Sequence, residues 1–392
     1  MNKVKQSWRT QTRAPLTSRM VLSRCGVVLV DKDEKQDNRL SCFSTRDGAQ
    51  AWQTSLDGLG LQVDGVMSIG ADAETVYVAQ EFSVAAYAAD TGAKRWATDV
   101  KNPTFNVEDF TGAPPPVITG DQILLSSRHA RVVSLDRRTG ALLWRSEDMT
   151  RAASVLVRGD VVIALANEEN DARAYDLASG KERWRHAFSG PFQISERLWS
   201  SLALSEPVAN ILHVMDANKA LVALESTTGK VLWAEPIVGL ASFTVANSTL
   251  LVADSASVRA LDPHKGGARW RKPTGGHTLL APLDGTSALL HLPRATALVD
   301  VASGRITEQA RNTLIEQDRV LAARDGMAVI SVSGGAKLFA LSGDRLIEAK
   351  LAEPLPRPGE PSQHGVLHAV LAADHAYTFS TSREITAFSV SR

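Results

Sequence analysis

A tryptophan follows a glycine by four positions again and again along this chain. Gly48 precedes Trp52, Gly92 precedes Trp96, Gly140 precedes Trp144, Gly180 precedes Trp184, Gly229 precedes Trp233 and Gly266 precedes Trp270. Trp8, Trp52 and Trp96 stand 44 residues apart. A period of this length is one supersecondary unit, which buries its apolar faces by stacking on copies of itself.

The unit is readable in local terms. An alternating apolar strand runs into an acidic residue, as in Val132-Val133-Ser134-Leu135-Asp136. A short turn follows, and its glycine supplies a positive φ that other residues resist. Asp, Ser and Thr side chains bond nearby backbone N–H groups and hold such a turn. The next strand carries the Trp, a wide aromatic suited to covering the flank of an adjacent sheet. Two more short β-like runs precede each motif, for example Val161–Leu165 and Thr249–Ala253. Four short strands per repeat, labelled A, B, C and D, predict an all-β chain, and radial repetition of such units predicts a propeller.

Two copies have lost part of the motif. Val299-Asp300-Val301-Ala302-Ser303-Gly304 keeps the turn but has Glu308 at the Trp position, and Leu341-Ser342-Gly343 is followed by Ile347. At the other end of the chain, Glu384–Val390 reads as a C strand with no D strand after it, while Ser7-Trp8-Arg9-Thr10 resembles the other D strands. We therefore expect one propeller domain over residues 1–392, closed by the strand around Trp8 pairing with the strand around Phe388. Such closure leaves no open sheet edge at the seam and ties down both termini. Counting D positions at Trp8, Trp52, Trp96, Trp144, Trp184, Trp233, Trp270, Glu308 and Ile347 predicts nine blades, with eight as the alternative.

The D-x-x-[TS]-G-x-x-x-W pattern resembles the repeat of pyrroloquinoline-quinone-type propellers. That group includes quinoprotein alcohol dehydrogenases, the outer-membrane assembly lipoprotein of the β-barrel machinery, and propellers fused to some actinobacterial Ser/Thr kinases. The resemblance runs from about Trp8 to Val390 and implies the fold; a fold alone does not carry a function. Quinoprotein dehydrogenases of this type commonly place a vicinal cysteine pair over the cofactor, whereas Cys25 and Cys42 are not adjacent. No lipid-acceptor cysteine is read near the N-terminus, and no glycine-rich kinase loop or His-Arg-Asp stretch is found. No quinone or other cofactor is expected.

Charge and composition narrow the partners. The 43 basic and 43 acidic residues balance, which argues against gripping a phosphate backbone. No apolar run approaches a membrane span, and no apolar leader of secretory length is read at the start. The expectation is a cytoplasmic monomer without nucleic-acid or membrane partners, although a chain whose leader had been removed would read the same. Two cysteines allow one bridge, since they fall on neighbouring strands of one blade; two buried thiols is the commoner reading.

Catalytic motifs are absent: no Walker A, no G-x-S-x-G, and the wrong spacing in Gly58–Gly65 for a dinucleotide loop. His364 and His368 are four apart, but a Pro-rich loop and a strand do not place them as a helix would, so no metal site is expected. The connections are more informative. Three D-to-A loops are long, at 101–116, 186–199 and 352–365, and two B-to-C connections, at Asp31–Asn38 and Asn167–Asp171, are extended. All five emerge on one face of the ring. Long loops on a rigid scaffold are where binding concentrates. Phe105, Asp109, Phe110, Phe192, Arg197, Trp199, His277 and His364 are the expected ligand contacts; Trp199, His277, Arg151 and Gln317 start A strands at the channel mouth. His277 with Asp109 or Glu360 could supply acid–base chemistry if they converge. The expected function is binding of a protein or small ligand on that face. The alternative is a quinone-independent lyase, cyclase or isomerase with its pocket at the same mouth, and a quinone-dependent dehydrogenase ranks below both.

Overall fold

The structure is a computed structural model. It describes residues 4–13, 16, 18–32, 37–56, 67–80, 83–100, 115–126, 132–146, 152–166, 171–188, 210–215, 220–239, 241–275, 279–292, 295–311, 319–332, 335–343, 345–351, 368–380 and 383–391. Among the described residues thirty-five strands form nine antiparallel sheets, and these are the nine blades of a propeller. Blade 1 consists of Val21–Ser23, Gly26–Lys32, Asn38–Phe43 and Gln50–Ser55, and the order A-B-C-D repeats around the ring. Blade 5 shows Ile211–Met215, Ala220–Glu225 and Val231–Pro236 among the described residues.

Blade 9 closes the ring as expected. Strand Val4–Gln11 pairs antiparallel with Glu384–Val390, placing Trp8 opposite Ala387. His375–Phe379 and His368–Ala372 complete that sheet. The nine-blade reading stands and the eight-blade alternative falls.

Burial follows strand position. The B and C strands are almost wholly buried, as in Gly26–Lys32 and Asp171–Asp176, because both faces meet neighbouring blades. Such strands read as near-continuous apolar runs. The outer D strands are half exposed, with the tryptophan as their inward anchor, as in Glu182–Ala187.

The Trp and the glycine are two halves of one contact. Each indole lies on the turn glycine of the next blade: Trp8 on Gly48, Trp52 on Gly92, Trp96 on Gly140, Trp144 on Gly180, Trp184 on Gly229, Trp233 on Gly266 and Trp270 on Gly304. A Cβ on any of these glycines would come within 2.5–2.8 Å of the indole, and each has φ between +68° and +75°. No other residue satisfies both constraints. Each indole N–H also donates to the carbonyl three residues before that glycine, at 2.8–3.2 Å, for example Trp144 to Leu177 and Trp96 to Arg137. Opposite each Trp, on the C strand of its own blade, sits a small buried residue: Cys42, Ala86, Ser134, Ala174, Ala223, Ala260 or Ala387. A cross-strand neighbour of an indole on one sheet face must be small for the ring to lie flat.

The acidic residue fixes the turn that makes this shelf. Asp136 accepts the backbone N–H groups of Arg138 and Thr139 and the Thr139 hydroxyl, and these bonds hold its carboxyl below the usual range. Asp176 and Asp300 do the same with Ser179 and Ser303.

The two departures from the motif now have a physical reason. In blade 8, Gly335–Ser342 and Arg345–Lys350 meet in a direct hairpin, with Ser342 opposite Arg345. The longer turn is missing, and nothing lies within 4 Å of a Cβ placed on Gly343. Blade 9 takes its D strand from the other end of the chain, so it has no C–D turn. A Trp at position 308 or 347 would have no shelf to cover.

Cys25 and Cys42 are not two buried thiols but a disulfide, with Cα atoms 6.5 Å apart. Cys25 occupies the A–B turn, and Cys42 lies on the C strand opposite Trp52. The bridge staples the turn to the middle of blade 1.

Candidate functional site

The antiparallel order sends D-to-A and B-to-C connections to one end of every blade. On the other end the described A–B and C–D turns are short, such as Gly159-Asp160 and 137–141. The roots of the long connections therefore share a face. They are firm. Leu56, Val100, Ile237 and Leu351 each follow a D strand directly and are buried. Leu56 N–H donates to Asn38 C=O at 3.0 Å and Leu351 N–H to Ala336 C=O at 2.9 Å, so the chain leaves each sheet at a fixed point.

Phe188 begins one of these loops. It is buried in the core between blades 4 and 5, edge-on to His186 at 4.9 Å, and is therefore packing rather than ligand contact. Phe105, Asp109, Phe110, Phe192, Arg197, Trp199, His277, Glu360 and His364 all lie outside the described residues, as do Arg151 and Gln317. His368 opens strand His368–Ala372.

Beneath this face run buried charges that the sequence reading passed over. Asp171 is fully buried and pairs with Arg173 at 3.1 Å and Arg185 at 2.5 Å, joining the C and D strands of blade 4. In blade 6, Asp254 Oδ1 accepts the N–H groups of Ala256 and Ser257, while Oδ2 faces Arg259 at 3.4 Å; Arg259 also donates to Pro236 C=O in blade 5. The signal was an acid or hydroxyl two residues before an Arg at a C-strand start, Asp171-x-Arg173 and Ser257-x-Arg259. These groups brace the rim of the loop face.

Asp31 is different. It sits under the connector between the closing strand and blade 1, bridged to Leu16, with Ser41 Oγ donating at 3.4 Å. Burial pushes its carboxyl up to about 6, against the opposing Ser41 bond and the charge of Arg39. On the tight-turn side, His213 shares the Pro263 carbonyl with Trp233, and burial lowers its imidazole to about 4. His213 also feels the charge of His264, and Asp31 that of Arg13. The cysteines do not fit the vicinal pair of a quinone site, since they stand 17 positions apart and join the A–B turn of blade 1 to its C strand.

A family model described as outer membrane protein assembly factor BamB matches residues 3–185 and 169–392, which together cover nearly the whole chain. The chain belongs to this family. The outer membrane protein assembly factor BamB of Burkholderia pseudomallei (strain K96243) is 24% identical over 189 residues, 46% of this chain and 48% of that protein. The match thus spans about half the length of this curated relative. Among solved structures, BamB from Moraxella catarrhalis aligns with a TM-score of 0.57 at 14% identity, covering 99% of this chain and 100% of that one. A europium-containing methanol dehydrogenase aligns with a TM-score of 0.51 at 13% identity, covering 85% of each chain. Likeness at these identities speaks for the fold alone.

Family membership overturns the cytoplasmic expectation, because the family is described by outer membrane protein assembly. The disulfide points the same way, since such bonds persist in oxidising compartments and are rare in the cytosol.

Proposed function

We propose that this chain is a non-catalytic scaffold of the cell envelope, binding protein partners in outer membrane protein assembly through its long-loop face. The observation that carries this reading is the family match along nearly the whole chain. The rigid ring supports it, because a scaffold that holds loop roots in place lowers the entropy cost of presenting a surface. The Cys25–Cys42 bridge supports an oxidising location.

The contacts we assign to this face are the aromatics Phe105, Phe110, Phe192 and Trp199, with Asp109, Arg197, His277 and His364 around them. Aromatics with a few charges are the usual anchors of protein interfaces. The chain acts as a monomer toward its partner.

The test is co-purification of the full chain from envelope extracts. Phe105→Ala with Phe110→Ala, and separately Trp199→Ala, should reduce recovery of an outer-membrane-assembly protein at least tenfold. A change on the tight-turn side, Asp90→Ala, should leave recovery unchanged. Loss from the tight-turn variant alone, or a purified chain found in the cytosol with both thiols free, would overturn the proposal.

A further inference from the structure

Seven of the nine blade-to-blade joints carry the indole clasp, and the two that lack it are consecutive. Trp8 through Trp270 each cover a glycine in the next blade and each donate to its turn carbonyl. The joint from blade 7 to blade 8 meets the direct hairpin at Ser342–Arg345, and the joint from blade 8 to blade 9 meets a sheet with no C–D turn. Blade 8 therefore lacks the clasp on both sides.

Apolar packing holds blade 8 instead. Leu283, Leu289 and Leu298 of blade 7 pack with Ile330 and Phe339, and Met327, Val329 and Leu338 pack with Leu371 and Phe388 of blade 9. Gly326 N–H also donates to Leu283 C=O across the joint, at 2.5 Å. These contacts lie toward the inner and middle strands. At the outer edge, where a clasp would stand, the described residues offer small apolar contacts and no indole: Leu346 packs into the joint with blade 7, and Ala349 and Val4 pack into the joint with blade 9.

We infer that blade 8, Arg319–Lys350, is the point at which the ring opens: it separates from its neighbours before any other blade. In a repeat ring, local stability is set by each unit and its two joints. A blade with two unclasped joints forms the least stable cooperative unit, while the covalent order of its own four strands keeps it folded as a piece. Placed one blade from the N-to-C closure, it lets the ring flex without unpairing Val4–Gln11 from Glu384–Val390.

Hydrogen–deuterium exchange on the full native chain tests this. Amides of the B and C strands of blade 8, Met327–Val332 and Gly335–Ser342, should exchange at least tenfold faster than those of Val161–Ala166 and Asp171–Asp176 in blade 4. Equal protection, or fastest exchange in a clasped blade, would overturn the inference. A second arm separates the clasp from general weakness. Glu308→Trp alone should leave blade 8 exchange unchanged, because no shelf receives the indole. Glu308→Trp together with the blade 3 turn, residues 136–140, grafted between Leu341 and Arg345 should slow it at least tenfold. Equal slowing by Glu308→Trp alone would show that the missing turn is irrelevant and refute the account.

Discussion

Replacing Gly140 by alanine would put a methyl group 2.5 Å from Trp96 Cε3 and 2.6 Å from Thr98 Oγ1, on a residue with φ of +75°. Three costs then add. A left-handed backbone conformation disfavours an L side chain by about 1–2 kcal/mol. Displacing the indole from a packed position costs about 1–3 kcal/mol. Loss of the Trp96–Arg137 hydrogen bond, 3.2 Å in the native ring, adds about 1 kcal/mol. The expected destabilisation is roughly 3–6 kcal/mol. Gly159 is the control, with φ of +60° and nothing within 4 Å of its would-be Cβ. Gly159→Ala should cost only the backbone part, about 1–2 kcal/mol. Guanidinium unfolding followed by tryptophan fluorescence and circular dichroism reads both, provided the slope of the transition is unchanged. In a Trp96→Ala background, Gly140→Ala should fall toward the Gly159→Ala value, a coupling that a double-mutant cycle isolates. Equal losses at Gly140 and Gly159, or no coupling to Trp96, would refute the clasp as the joint between blades.

Denatured protein should titrate no free thiol before reduction and two after it, and loss of the 17-residue bridge by Cys25→Ser with Cys42→Ser should lower stability by about 3 kcal/mol. Asp31 keeps its proton up to about pH 6 in the folded ring, whereas the unfolded chain releases it near 3.8. Its ionisation therefore costs nothing below about pH 4, costs more as pH rises toward 6, and levels off above that. Asp31→Asn should match the wild type in acid and exceed it above pH 6 by about 1–3 kcal/mol; a pH-independent difference would count against the buried carboxyl. Deleting residues 4–11 leaves the edge of Glu384–Val390 unpaired, so the product should oligomerise on gel filtration rather than run as a monomer.

The ring was legible because its joints repeat. The Gly-x-x-x-Trp spacing exposed both halves of the clasp, and Trp8 at the same interval exposed the closing strand. The small residue opposite each indole, Ala174 opposite Trp184 for instance, was equally present in the sequence but shows its meaning only once strands are paired. Glu308 and Ile347 read as decay, because the reason for them lies in the next blade's turn rather than in their own neighbourhood. The disulfide was under-read, since spacing alone does not bring a turn residue and a strand residue within bonding reach. The loop face was legible as a face from connection lengths. Its individual contacts were not, because a loop such as 101–116 obeys no repeat. Location was lost for a related reason: zero formal net charge and an ordinary apolar content are compatible with several compartments.

The most direct measurement places a photo-crosslinking amino acid on each face of the full chain in cells. Positions 109 and 197 sample the long-loop face, and positions 90 and 300 sample the tight turns. The account predicts adducts with a component of outer membrane protein assembly from 109 and 197, and none from 90 or 300. Adducts from the tight-turn positions with silence at 109 and 197 would contradict it.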